Sequence, residues 1–567
     1  MVSARGEEDR CATVDPSLPP TTHTLAQDRL HGAVLPAILA ALILTNGKIW
    51  IGDASMAAAM AIEGNRIIAV GSNATIAKLT TASDQVIDLH GRLAVPGFID
   101  NHTHFIEGGF ELSRVQLRDA ATPQEFARRI GEYAGKVGKG KWVTGGEWDH
   151  TIWNPPALPT RQLIDARTPE NPVFVYRLDG HMALANSLAL KLGGVTRDTP
   201  DPSGGTIVRD SSGEPTGILK DAATSYVERV IPSATTDERI AAARAALAEA
   251  ARFGVTAFGD MSSGEAFEDF RAYQRLEKDG LLTARVYLFT PIAEYKRLVA
   301  ASVEKAFGSD RLRVGGLKGF ADGSLGSSTA AFFEPFSDDP NNRGLTMEAM
   351  ADGRMKSFVT DANSSNLQIA IHAIGDRAND EVLRIYETIP NERERRFRIE
   401  HAQHLSPALI RRFADDRVIA SMQPYHAIDD GRWAEKKIGH ERSRWTYAFR
   451  SLLDSGAVVT FGSDWTVAPL NPILGVYAAV TRRTLDGKNP NGWIPEQKIT
   501  VEEALRCYTA NNAWAMFREK EIGKIAPGML ADVVVLSDDL FKIAPERIDG
   551  VKVDYTIFDG RVIYERH

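Results

Sequence analysis

The chain has 567 residues, 43% of them hydrophobic and 25% charged, with a formal net charge of −8. Such a composition suits an ordinary globular protein with room for a large core, and its charge balance offers no basic field to a nucleic-acid backbone. Two cysteines, Cys11 and Cys507, exclude a disulfide framework.

Residues 1–32, rich in Pro, Thr, Ser and acids, read as a disordered tail. The apolar run AVLPAILAALIL at 33–44 is too short for a bilayer, which takes about 20 residues. It leads into LILTNGKIWIGD with no cleavage site between. The expectation is therefore a cytoplasmic protein without a membrane partner, with export through a signal peptide as the alternative.

From Leu42 to Leu93 short apolar runs alternate with turn residues, as in LILTNGKIWIGD and AIEGNRIIAVG, where Asn-Gly and Gly-Asn signal hairpins. The last fifty residues repeat this texture in GKIAPGMLADVVVLSDD and VDYTIFDGRVIYE. Neither end has enough strands to bury a core, so residues 33–92 and 520–567 are expected to form one small composite β-sandwich.

Between them, residues 93–519 alternate apolar runs with helical stretches such as TDERIAAARAALAEAARF. Eight runs emerge: LAVPGFID, GVTAFGDM, ARVYLFT, RVGGLKGFAD, LQIAIHAIGD, RFRIEHAQ, VIASMQP and AVVTFGSDW. The predicted fold class is thus α/β, a (β/α)8 TIM barrel. Residues from about 105 to 236 are too many for one βα connection and read as an insertion after strand 1 that roofs the active-site end.

PGFIDNHTHF places His102 and His104 at i and i+2, on one side of a strand. Alone, that pair fits metal ligation and ordinary polar histidines equally. His372 closes LQIAIH, His401 follows RFRIE and Asp464 follows VVTFGS, each at the C-terminal end of a predicted strand facing one cavity. Lys318, in GGLKGFADGSLGSS, lies inside a buried strand; by itself it reads as paired to a carboxylate such as Asp322, or as a Schiff-base lysine.

From Leu42 onward the chain resembles the amidohydrolase superfamily, in particular the metal-dependent branch of family 3 that includes N-substituted formamide deformylases. The resemblance rests on GRLAVPGFIDNHTH, DGHMALANS, LKGFADGSLGS, IHAIGDRAND, RIEHAQH, GSDWTVAPLNP and GKIAPGMLADVVVL. It implies that His102, His104, Lys318, His372, His401 and Asp464 hold two divalent metal ions, zinc by preference, with Lys318 converted by carbon dioxide to a carbamate that touches both. It further implies a metal-bridged hydroxide as nucleophile and Asp464 as the shuttle that carries its proton to the leaving nitrogen.

The expected function is hydrolysis of a C–N bond in an amide, N-formyl, carbamate or cyclic amide. An esterase or lactonase on the same site, or a non-catalytic metal-binding scaffold, is the alternative. His181 either orients the substrate carbonyl or fixes its own loop, and His404 and His426 read as solvated loop histidines, with a place behind the ligands as the alternative. Loop aromatics, among them Trp148, Tyr425, Trp433 and Trp465, either cover a core or an interface or else form a pocket for an aryl or bulky apolar substituent on a small-molecule substrate. A homodimer is left open.

Overall fold

The computed structural model describes residues 40–53, 55–262, 265–389 and 392–567. The expected tail and most of the apolar run at 33–44 lie outside the described residues. Among the described residues no helix is long and apolar enough to cross a membrane.

Eight strands form a nearly closed parallel barrel: β1 (Phe98–Thr103), β2 (Val255–Met261), β3 (Arg285–Pro291), β4 (Leu312–Phe320), β5 (Gln368–Ala373), β6 (Arg398–His401), β7 (Ile419–Met422) and β8 (Val459–Phe461). Each pairs in parallel with the next in chain order. Just past β8 the Asp464 amide donates to the His102 carbonyl at 2.7 Å, and Thr103 bridges Trp465, so the first and last strands adjoin. All eight predicted runs are barrel strands, for the reason a parallel barrel dictates: covered on both faces, its strands are apolar throughout.

The first run splits in two. Leu93–Pro96 pairs with Lys48–Trp50 and Val533–Leu536 in a different sheet, and the barrel strand begins at Phe98. That second sheet has six strands drawn from residues 48–57, 93–96 and 533–565; a four-stranded sheet from residues 42–88 lies with it. Leu44, Ile49, Met60, Ile62, Ala94, Val533, Val535 and Ile557 form one apolar cluster contributed by both sheets and both ends of the chain.

After β1 the chain runs through the helix Phe105–Glu111 into a six-stranded sheet made of Val115–Gln116, Gly145–Trp148, Phe174–Arg177, Met182–Ala185, Gly205–Arg209 and Pro215–Asp221. The Ala-rich helix Thr236–Arg252 then returns the chain to β2; a capping box between Thr235 and Glu238 starts it, and its Ala242, Ala243, Ala246 and Ala250 are buried. Asp179 fastens this insertion to the loop after β4 by accepting from Ser324 Oγ at 2.7 Å and Ser327 Oγ at 3.0 Å.

Candidate metal centre

The ligands predicted from sequence converge at the C-terminal ends of the barrel strands, where a cavity of about 530 Å³ opens beneath the insertion. His104, His181, Lys318, His372, His401 and Asp464 all line it. His102 lies just beneath them, fully buried.

Three departures from regular strand geometry aim these side chains. Between Asp100 and Thr103, β1 advances three residues while β2 advances two, from Phe258 to Asp260, and this irregularity turns both Asn101 and His102 toward the interior partners Arg398 and Glu400. On β6 simple alternation directs Arg398 and Glu400 inward and would send His401 outward. Left-handed backbone at His401 (φ 71°) and Ala402 (φ 43°) reverses that. Asp464 has φ 57°, and non-glycine residues in that region carry strain that functional sites commonly hold.

Asp464 is the hub. Its Oδ1 lies 3.3 Å from both His102 Nε2 and His104 Nε2, and its Oδ2 lies 3.9 Å from His401 Nδ1. Ligand atoms of His102, His401 and Asp464 all fall within 4.8 Å of one another. Lys318 Nζ is 3.3 Å from His102 Nε2, and the His372 and His401 ring centres are 4.6 Å apart. Five nitrogen donors and a carboxylate gathered this closely are a donor set that divalent metals such as zinc accept.

The electrostatics agree. Burial, aided by Lys318, pushes the His102 imidazole down to about 4, and burial with His372 beside it holds His401 well below its ordinary value, so both keep free lone pairs. Burial also lowers the Lys318 ammonium to about 8, against the pull of Glu400 and Asp464. Burial opposes the charge of Asp464, but the imidazoles of His102, His104 and His401 outweigh it and hold the carboxyl well below the usual range.

Residues behind this shell fix its orientation. Glu400, which sequence reasoning missed, meets His102 Nδ1 through Oε2 at 2.5 Å, and Arg398 grips the same carboxylate at 2.7 and 3.0 Å. The available signal was two charged residues two apart in an otherwise apolar strand. Gln423 Oε1 holds His401 Nδ1 at 2.8 Å. Asp322 does not pair with Lys318; it accepts from the amides of Ala331, Ile374 and Gly375 and lies 3.4 Å from His372 Nε2.

His181 Nδ1 meets Asp221 Oδ1 at 2.7 Å, and its ring centre is 5.2 Å from that of His372. His426 lines the cavity, whereas His404 is buried away from it against Thr446. The three aromatics expected to form the substrate pocket do not line it. Trp148 is fully buried in the insertion, its Nε1 donating to the Val175 carbonyl at 2.9 Å. Trp465 packs against Gly108 of the helix after β1, and Tyr425, half-buried on the helix Pro424–Asp430 that follows β7, is not among the residues lining the cavity. The aromatic and apolar lining includes Tyr176, Phe320, Leu325, Ile374 and Trp433.

The family model described as "Amidohydrolase family" matches residues 85–564. The Arabidopsis thaliana protein LONG AFTER FAR-RED 3 is 41% identical over 540 residues, covering 91% of each chain. The N-substituted formamide deformylase of Arthrobacter pascens is 29% identical over 552 residues, covering 93% of this chain and 98% of its own. A solved structure described as an uncharacterized metal-dependent hydrolase from Pyrococcus horikoshii OT3 superposes with a TM-score of 0.72 at 29% identity, covering 89% of this chain and 99% of that one.

Proposed function

The chain belongs to the amidohydrolase family, as a metal-dependent hydrolase of C–N bonds other than peptide bonds, and on that premise we propose that it cleaves an amide, N-formyl, carbamate or cyclic amide carrying an aryl or bulky apolar substituent. His102, His104, His372, His401, Asp464 and Lys318 as its carbamate are the residues that would hold two divalent ions, for which zinc is suited. Such ions supply Lewis-acid polarisation of a carbonyl and acidify water toward neutral pH.

The protein's own contribution centres on Asp464. One of its oxygens faces His102 and His104 while Oδ2 stands apart, 3.9 Å from His401. Oδ2 therefore receives the proton that the attacking water loses and passes it to the departing nitrogen, which leaves as an amine. This transfer is needed because an amide anion is a very poor leaving group. His181, with Nδ1 committed to Asp221, orients the substrate carbonyl through its other ring nitrogen. Leu325, Ile374 and Trp433 line the cavity and shelter an apolar substituent.

The position of Asp464 carries this reading: it lines the cavity among the imidazoles, and one of its oxygens is turned away from His102 and His104 and is available to take a proton from water. Purified protein is to be assayed for metal content and for hydrolysis of a panel of formamides, amides, carbamates and esters. About two equivalents of metal, with C–N cleavage preferred, is the expected result. Full metal content with no turnover of any class points instead to a binding scaffold, and turnover of esters alone to an esterase.

A further inference from the structure

Of the imidazoles that line the cavity, His104 meets Asp464, His181 meets Asp221, His372 meets the Gly323 carbonyl and His401 meets Gln423. His426 lines it as well, and neither of its ring nitrogens has a hydrogen-bond partner among the described residues. It stands in the first turn of the helix Pro424–Asp430, three residues past the Gln423 that holds His401. Its ring is nearly parallel to that of His401, at 12° with the centres 6.5 Å apart. His181 lies 5.2 Å from His372 in the same sense, and His372 and His401 are 4.6 Å apart. The two outer rings thus flank the two inner ones.

The two nitrogens of His426 are not equivalent. Nε2 is completely buried and meets nothing. The ring as a whole is half-buried, so Nδ1 is the nitrogen that the cavity reaches. Burial holds the ring below its ordinary value, which leaves it neutral with one proton to place. On Nε2 that proton would be a buried donor without an acceptor, at a cost of about 1–3 kcal/mol. On Nδ1 it meets water or substrate, so the ring presents an N–H to the cavity.

We propose that His426 is a catalytic residue whose Nδ1–H donates to the carbonyl oxygen of the substrate as negative charge gathers there. The inference rests on the C–N hydrolase reading and adds a residue to it. Asp464 already serves the attacking water and the departing nitrogen, which leaves the oxygen as the reacting atom still in need of donors. An oxygen placed over the His372 and His401 rings lies between His181 on one side and His426 on the other.

The electrons balance without a proton moving at His426. Water, its proton taken by Asp464, adds to the carbonyl carbon, and the π pair shifts to the oxygen, where the Nδ1–H holds it. The pair returns as the C–N bond breaks, and the electrons of that bond leave on nitrogen with the proton that Asp464 delivers.

Two variants separate this role from packing. His426→Phe keeps a flat ring beside His401 and removes the N–H; His426→Asn gives up the ring and sets an amide N–H near the place of Nδ1. Each is measured for metal content, kcat and KM on the formamide or amide that wild-type protein turns over fastest. At wild-type metal content, His426→Phe is expected to lose about 10²- to 10³-fold in kcat with little change in KM, and His426→Asn to regain about tenfold or more of that loss. Full activity in the Phe variant overturns the proposal, as does an Asn variant that regains nothing, or loss of metal from both. If wild-type protein turns over no formamide or amide, the C–N reading fails on its own account. The donor is then judged by calorimetry of hexylphosphonate, a tetrahedral oxyanion, on metal-loaded protein. Its binding should weaken about 10- to 100-fold in His426→Phe and recover in His426→Asn; equal binding by wild type and His426→Phe overturns it.

Discussion

Glu400 Oε2 lies 2.5 Å from His102 Nδ1, with both side chains wholly buried and the carboxylate gripped by Arg398. This contact presents the Nε2 lone pair of His102 to the site, the arrangement that orients metal-binding imidazoles generally. Glu400→Gln is therefore expected to weaken metal binding about 10- to 100-fold. Chelator competition followed by metal analysis measures it; unchanged affinity would remove Glu400 from the metal centre.

Arg398 also donates to Asn101 Oδ1 at 3.0 Å and to Ser421 Oγ at 3.0 Å, tying β1, β6 and β7 together beneath the site. Truncation to alanine leaves the Glu400 charge buried without its cation. A loss of about 3–5 kcal/mol is expected, read as a shift in the denaturation midpoint. A shift below 1 kcal/mol would mean that solvent reaches the pair.

Asp464→Asn keeps the shape of the side chain but removes its capacity to carry a proton. Turnover should fall about 10²- to 10⁴-fold, with less loss for substrates whose leaving group needs no protonation, such as activated aryl esters. Equal loss on both substrate types would assign Asp464 to metal binding alone.

Lys318 gives the pH dependence. Carbon dioxide adds to a neutral amine, and burial has lowered the Lys318 ammonium to about 8, so the reactive fraction grows as pH rises through that value. Metal-free protein given zinc at constant dissolved carbon dioxide should activate about tenfold faster per pH unit below 8, levelling above it. A flat profile would show that activation does not pass through this amine.

Gly462, just past β8, faces the first strand: a Cβ there would lie 2.6 Å from the His102 amide nitrogen and 2.8 Å from Asp100 Oδ1. Gly462→Ala should cost about 1–3 kcal/mol and reduce metal content by displacing His102. Wild-type stability and metal loading would show that the strand can move aside.

The barrel strands were legible because burial on both faces makes each an uninterrupted apolar run, and the polar residues that end them stand out against it. Lys318 was legible for the same reason, as an ammonium with no route to water. Glu400 and Arg398 were not, since two opposite charges in a strand look like a solvated pair until the fold closes over them. The tryptophans misled because an indole on a loop is equally suited to filling a small core, which is what Trp148 does, with its N–H satisfied by the Val175 carbonyl. The division of LAVPGFID at Gly97 depends on pairing with Val533–Leu536, a partner too distant for any local pattern to reveal.

That distant pairing bears on how the protein is made. Arg92, next to the strand Leu93–Pro96, meets Asp554, which is 462 residues farther along. At about 5–20 residues per second a ribosome takes roughly half a minute to a minute and a half to cover that length. Throughout that interval the first strands wait with an open edge and an uncovered apolar face, so the nascent chain depends on shelter until its last hairpin emerges.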